Sequence, residues 1–361
     1  MAMAGPRPCV LWWGRHDPDY SRNRILRGLL RDMGWRIKDF HPRFSGLADW
    51  EARLRLLPRP DLVWVPCFRQ RDLAAASRWA RAQQVPLLFD PLISAYDKQV
   101  DERGKWPADS PSARRLLAKE QGLFQRADIV LADTPSHADY FSEVLGVVQD
   151  RLHVVYVGAE EALFKPAPPE ARLPGAPMEV LFFGSFIPLQ GPEVIVEAAR
   201  IYQGPPVRWV LLGDGPLRPE CERRAQGVSQ VVFKGWLPYT ELPGRIQQAD
   251  LLLGVFGATP KAGRVIPNKV FQGLACGRPV VTRRSDAYPA GMATATAGIS
   301  WVPAGDAEAL ARTVAMHAAR REALAAEGQA ARALYDAFLG NPVVRDQLSQ
   351  AMQVLHPRAP A

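Results

Sequence analysis

The feature that most constrains this chain is an alternation that runs from one end to the other: short apolar runs, each of buried-strand length, separated by helix-length amphipathic stretches. Strands that are apolar throughout are covered on both faces, and parallel pairing requires a crossover, usually a helix, between successive strands. The pattern therefore predicts an α/β chain of doubly wound parallel sheets. In the first half, strands are expected at 9–13, 35–40, 62–65, 86–89, 129–132 and 152–156, with helices at 21–33, 72–83, 111–126 and 135–145.

One interruption divides the pattern. Residues 165–177 contain Pro166, Pro168, Pro169, Pro174 and Pro177, and rings that fix φ and remove N–H donors make this a stiff connection. The alternation then restarts, with strands expected at 179–183, 207–212, 231–234, 251–255, 279–282 and 299–302, and helices at 192–202, 239–248, 268–275 and 306–335. A chain of 361 residues also exceeds the ~250–300 at which single cores stop growing. Two Rossmann-like domains are predicted, 1–165 and 166–339, followed by a segment 340–361. There Gly340, Asn341 and Pro342 break the long helix, and a last helix over 343–355 is expected to cross back toward the first domain. Domains of this kind facing a central cleft would bind ligands at the carboxyl ends of their strands.

Charge narrows the partners. The 45 Lys and Arg against 37 Asp and Glu give +8, an excess that nucleic acid, an anionic membrane or a phosphorylated substrate would each explain. Residues 1–81 alone hold 16 basic and 8 acidic side chains. No nucleic-acid motif is present and the charge density is modest, so nucleic acid is set aside. Helix 21–33 places Ile25, Leu26, Leu29, Leu30 and Met33 on one face, with Arg22, Arg24, Arg27 and Arg31 around it. That describes a core-packed helix with a solvated basic side; the alternative is peripheral contact with an anionic membrane.

Cys9, Cys67, Cys221 and Cys276 have neither disulfide-framework nor metal-ligand spacing and read as small apolar residues. The apolar run 9–13 is too short for a signal peptide, and no stretch approaches the ~20 apolar residues of a membrane span. A cytoplasmic protein is expected, peripheral on the inner face of the membrane at most.

The second half carries the densest chemistry. Strand 179–183 runs into Gly184, Ser185 and, through Gln190 and Gly191, a helix opening at Pro192. Such a turn offers free N–H groups and a positive dipole end to a phosphate, or serves only packing. Gly213 and Asp214 after strand 207–212 carry the same ambiguity. In 254–282, Phe256 and Gly257 end a strand, a polar loop brings Lys261, Arg264 and Val265, and Pro267 and Asn268 open a helix bearing Lys269 and Gln272. Three cations at a helix entry suit a diphosphate, and Gln272 suits a ribose; a solvated basic loop is the plainer reading.

Taken together, VLFFGSFIPLQGPEVIVEAA, VLLGDGP, VVFKGWLPYTELPGRIQQADLLLGVFG and VIPNKVFQGLACGRPVVT, led in by HVVYVGAEEALFKP, resemble the retaining GT-B glycosyltransferases of glycosyltransferase family 4. The resemblance covers nearly the whole chain. It implies a GT-B fold, a nucleotide diphosphate sugar as donor substrate and no cofactor or metal. It also implies donor contacts from the segments just named, Trp236 of the GWLP run included. Members of the family often carry Arg and Lys where this chain has Ser185 and Gln190, and a glutamate pair where it has Arg264 and Gln272. RVIPNK resembles a subgroup associated with surface-polysaccharide assembly, in which Lys261, Arg264 and Lys269 are expected to replace the missing cations.

In the first domain, Asp17 and Asp19 form a DxD ahead of a helix, and Asp19 or Ser21 is expected to cap that helix. Gly14, Asp17 and Tyr20, with Asp97 and Arg103 further on, are the acceptor-side candidates. Asp90 ends strand 86–89, where related enzymes often have a histidine facing the sugar, and is the first catalytic candidate; Asp101 is the second. His137 is expected at the surface. The function these residues imply is hexosyl transfer with retention to a glycan or lipid-linked acceptor. The alternatives are a sugar-nucleotide epimerase of the same fold and a non-catalytic binding module.

Overall fold

The computed structural model describes residues 7–167 and 175–353. Chain contacts divide into two compact units: residues up to Val157 together with those from Val344 onward, and residues Gly158–Val343. Pro168, Pro169 and Pro174 of the expected linker lie outside the described residues. The boundary falls earlier than residue 165 because the chain just after Val157 is bonded into the second unit. Glu160 accepts from the Tyr239 hydroxyl at 2.7 Å, and Glu161 accepts from the Asn341 N–H at 2.8 Å.

The first unit holds β1 (Cys9–Trp13), β2 (Arg36–Phe40), β3 (Leu62–Val65), β4 (Leu87–Phe89), β5 (Ile129–Ala132) and β6 (Leu152–Val154). All pair in parallel in the order β2-β1-β3-β4-β5-β6. β3 and β5 are buried at every position, which is why they read as unbroken apolar runs. In the register Trp12↔Trp64, those two indoles stack at 4.9 Å. Helices start where the sequence supplies an acceptor and a proline: Ser110 caps Pro111–Phe124 and Thr134 caps Pro135–Glu143, each with proline in the first turn.

The second unit holds β7 (Met178–Phe183), β8 (Val207–Leu212), β9 (Val231–Lys234), β10 (Leu251–Leu253), β11 (Val280–Arg283) and β12 (Ile299–Val302). Its order is β12-β11-β10-β7-β8-β9, again all parallel. The long helix expected over 306–335 is two, Ala307–Ala319 and Leu324–Phe338, separated at Arg320 and a 3-10 turn, Arg321–Ala323. The first packs on helix Pro192–Ile201 and the second on helix Asn268–Ala275, and the turn between them lets each meet its own partner.

Candidate functional site

In the second unit the strand order reverses between β7 and β10, and ligands of open α/β sheets bind outside the carboxyl ends of the strands at such a point. Three loops meet there, backbone to backbone. Gly213 has φ +132°, and a Cβ on it would lie 2.0 Å from the Gly184 carbonyl oxygen. Gly191 has φ +65°, and a Cβ on it would lie 2.6 Å from the Gly257 nitrogen. Only glycine satisfies both the handedness and the space. Two hydrogen bonds hold the loops in place, Phe186 N–H to Asp214 O at 2.9 Å and Phe256 N–H to Gln190 O at 3.1 Å.

Into this junction helix Asn268–Ala275 sends Lys269 from its first turn. The ammonium donates to Gln190 Oε1 at 2.5 Å, lies 3.7 Å from the Phe182 ring centroid and would be 3.1 Å from a Cβ on Gly184. Lys269 is only 5% exposed. Burial pushes its pKa well below the ordinary lysine range, and no carboxylate opposes that shift among the described residues. An amide oxygen and a ring face replace only part of the hydration a cation loses. An anion placed beside Gly184 would supply the rest.

The other expected donor residues lie on the loops and helix of the same unit. Lys261 is buried on a 3-10 turn, Lys261–Gly263, with Arg264 directly after it. Val265 packs with Leu189, Val255 and Ala262. Gln272 is buried on the same helix as Lys269, behind Pro267 and Asn268. Ser185 is half-buried, the Asp214 carboxylate accepts from the Gly215 N–H at 2.7 Å, and Trp236 is exposed. Phe256 is a correction: it is fully enclosed in the core, its N–H donates to Gln190 O and its carbonyl accepts from the Gly305 N–H at 2.9 Å, so it shapes the loop without facing a ligand. The sequence reading passed over Arg283, whose guanidinium donates to Gly257 O at 2.6 Å and Thr259 O at 3.3 Å and ties down the loop that leads to Lys261. An arginine ending an apolar strand gives no sign of such a role.

In the first unit the reversal lies between β1 and β3. Gly14 after β1 has φ +121° and rests on Arg69 and Asp72, with 3.0 Å between a Cβ position and Asp72 Oδ2. Asp17 closes a turn by accepting the Asp19 N–H at 2.8 Å. Helix Ser21–Asp32 begins at Tyr20 with no side-chain cap, so neither Asp19 nor Ser21 caps it. Tyr20 packs edge-on against Phe68.

Asp90 is corrected from a catalytic group to a buried structural one. Both of its oxygens accept from Arg22 Nε at 2.9 Å, and both side chains are fully buried. The same guanidinium donates to Val155 O at 3.0 Å. No lone pair of Asp90 is open to an acceptor hydroxyl. This pair also shows that the arginines of helix 21–33 do not form one solvated face.

Asp97, expected on the acceptor side, is equally enclosed and lies 3.8 Å from His137 Nε2. His137 is buried rather than superficial. Its N–H is held by Thr134 at 3.1 Å and its Nδ1 by Asp133. Burial lowers its pKa, but Asp133 and Asp97 outweigh burial and raise it to about 9. Asp101 remains the half-open carboxylate, on the π-helical turn Asp97–Glu102, receiving the Tyr140 hydroxyl at 3.2 Å. Arg103, next along, is exposed.

Among the described residues, His16, Asp39 and His41 offer ligand atoms within 4.8 Å of one another. Both Asp39 oxygens already accept from Arg27, at 2.6 and 2.9 Å. That carboxylate is therefore committed.

Two parallel sheets, each wound by helices on both faces, with glycine loops meeting at a strand-order reversal, define a GT-B architecture. Residues 8–158 match the glycosyl transferase 4-like domain and residues 177–319 match glycosyl transferases group 1; the chain belongs to the GT-B glycosyltransferases. A D-inositol 3-phosphate glycosyltransferase of Streptosporangium roseum is 28% identical over 274 residues, 69% of this chain and 61% of the relative. A protein of the same name from Xylanimonas cellulosilytica is 26% identical over 59% of this chain and 52% of its own. The chain thus spans about half to three fifths of the length of these relatives. Among solved structures, sucrose-phosphate synthase of Thermosynechococcus elongatus superposes with a TM-score of 0.71 at 20% identity, over 97% of this chain and 99% of that one. HepE of Anabaena, in complex with UDP and glucose, gives 0.68 at 16% identity over 96% and 100%. These two likenesses concern the fold. No helix among the described residues is long and apolar enough to cross a membrane.

Proposed function

We propose that the protein transfers a hexosyl unit, with retention, from a nucleoside diphosphate sugar to a glycan or lipid-linked acceptor in cell-surface polysaccharide synthesis at the cytoplasmic face of the membrane. The observation that carries this reading is the buried, carboxylate-free Lys269 ammonium at the junction of the Gly184, Gly213 and Gly257 loops. A diphosphate is the anion whose charge and size suit that place, with Lys261 and Arg264 on the neighbouring turn as further cations. The chain departs from its resemblance at Gln190, where relatives often carry a lysine, and Lys269 returns a cation to within 2.5 Å of that side chain.

Charge developing on the leaving diphosphate would be met by these cations and by backbone N–H groups, so transfer needs no metal. Gln272 offers an amide oxygen to a ribose hydroxyl in place of a carboxylate. On the acceptor side, we assign to Asp101 the role of taking a hydroxyl proton, and to Gly14, Asp17, Tyr20 and Arg103 that of contacting the acceptor. The relatives' name, a glycosyltransferase acting on an inositol phosphate, agrees with transfer to a hydroxyl on a polar acceptor.

The test is a panel of UDP- and GDP-sugars in calorimetry and in turnover assays. The expected result is binding of one nucleotide family and release of its diphosphate, with a sugar-containing product only when acceptor is added. Conversion of donor to an epimer without acceptor would replace this reading, and no binding to any nucleotide would end it.

A further inference from the structure

The segment between β2 and β3 contains a helix whose apolar stripe faces the wrong way. In Ala48–Leu54 the residues turned into the unit are Ala48, Asp49 and Ala52. Leu47, Trp50 and Leu54, spaced i, i+3 and i+7 on one helical face, are 61%, 61% and 82% exposed. Phe44 before the helix and Leu56 after it are 69% and 86% exposed. Leu56 also sits at φ +50°, a conformation that favours glycine. Half of the large apolar side chains exposed among the described residues thus lie within thirteen positions of one another. Scattered exposed leucines need no explanation, but a contiguous stripe with a tryptophan at its centre marks a surface that meets something.

The charges around the stripe choose the partner. Asp49 is drawn inward onto Arg78, at 2.9 and 2.7 Å. Glu51 is drawn onto the Arg43 N–H at 2.7 Å and the Arg55 guanidinium at 2.6 Å. Arg43 and Arg53 are left exposed beside the apolar residues, with Arg53 over the Trp50 ring at 5.7 Å, while Arg55 is exposed but paired to Glu51. A two-fold contact between copies would set these arginines against one another. A phospholipid surface instead offers anions to the arginines, hydrocarbon to the leucines and a headgroup boundary to the indole.

We infer that Phe44, Leu47, Trp50, Leu54 and Leu56, flanked by Arg43 and Arg53, form a docking surface for an anionic membrane, lying in the interface rather than crossing it. The inference deepens the reading of a lipid-linked acceptor and rests on it for its purpose. It places on the segment 43–56 the membrane contact that was the alternative reading of helix 21–33, where Arg22 and Arg27 are committed to Asp90 and Asp39.

The experiment is flotation of the full chain with vesicles, without any sugar nucleotide, so that failure here is separate from failure to bind a donor. Vesicles of phosphatidylcholine with about one-third phosphatidylglycerol should carry the protein, pure phosphatidylcholine should carry much less, and raising the salt should release it. The double variant Trp50→Ser/Leu54→Ser should lose at least ~10-fold in vesicle affinity while its melting curve stays that of the parent, since both side chains are exposed. Should that variant fail to fold, Arg53→Glu should still weaken binding several-fold and flatten its salt dependence. Equal binding of parent and variants, or no flotation with anionic vesicles, overturns the inference. So does a dimer in sedimentation that the double variant abolishes, which would assign the surface to a second copy.

Discussion

Lys269 and Gln190 are 79 positions apart in the chain and 2.5 Å apart in space. The pair sets two properties against each other. A lysine buried without a carboxylate destabilises the free protein and strengthens its hold on an anion. Lys269→Met, which keeps most of the volume, should raise unfolding stability by about 1–4 kcal/mol and weaken binding of whichever nucleoside diphosphate the panel identifies about 10- to 100-fold, the worth of a hydrogen bond from a charged donor. Chemical denaturation and calorimetry read the two effects separately. Exchanging the residues, Gln190→Lys with Lys269→Gln, should recover much of the lost affinity. A variant that loses both stability and affinity would contradict this account.

Which parts of this were legible follows from which forces are local. Strands buried on both faces, and helix starts such as Ser110-Pro111 and Thr134-Pro135, are written in neighbouring residues, and those elements appear where expected within a few positions. The glycine junction was legible as three glycine turns, because a missing Cβ is a property of the residue itself. Arg22 with Asp90, His137 with Asp97 and Arg283 with the Gly257 carbonyl are made by the fold across tens of residues. A carboxylate at a strand end looks the same in sequence whether it faces a substrate or a buried guanidinium. The helix Ala48–Leu54 was missed for the opposite reason: its apolar stripe faces solvent, so it lacks the core-facing pattern by which helices are recognised.

The Arg22 and Asp90 pair should act as structure, not as catalyst. Asp90→Asn leaves the guanidinium buried and short of its counter-charge, which should cost about 3–5 kcal/mol. Nucleotide affinity, proposed above to reside in the second unit, should be unchanged in whatever fraction remains folded. Arg22→Met/Asp90→Leu should be clearly more stable than the sum of the single changes predicts, and a double-mutant cycle in denaturant measures that coupling. Coupling near zero would refute the role assigned to the pair.

His137 should make stability fall with rising pH. Its pKa is raised in the folded chain to about 9, against ~6.5 when unfolded. The charged imidazolium between Asp133 and Asp97 therefore contributes its full stabilisation below about pH 6.5 and loses it as the pH rises through 9. The shift corresponds to about 3 kcal/mol. Unfolding free energies of the parent and of His137→Gln should differ most at pH 6 and converge toward pH 10, a comparison in which the other titrating groups cancel. A difference independent of pH would show that folding leaves the imidazole pKa unshifted and would refute the charge pairing.

Two glycine-to-alanine changes should move stability in opposite directions. Gly28 lies within helix Ser21–Asp32 with nothing inside 4 Å of a Cβ position, so Gly28→Ala should stabilise by about 0.5–1 kcal/mol through helix propensity. Gly213 combines φ +132° with a Cβ position 2.0 Å from the Gly184 carbonyl oxygen. Gly213→Ala must strain the backbone and push the β7 loop away, at about 2–5 kcal/mol. Because that loop carries Gln190, the displacement should also separate Gln190 from Lys269 and lower affinity for the proposed nucleoside diphosphate, whereas Gly28→Ala should leave affinity alone. Denaturant midpoints and calorimetry on both variants decide the matter. If Gly213→Ala bound the nucleotide as the parent does, the tight meeting of the β7 and β8 loops would not be what shapes the proposed nucleotide site.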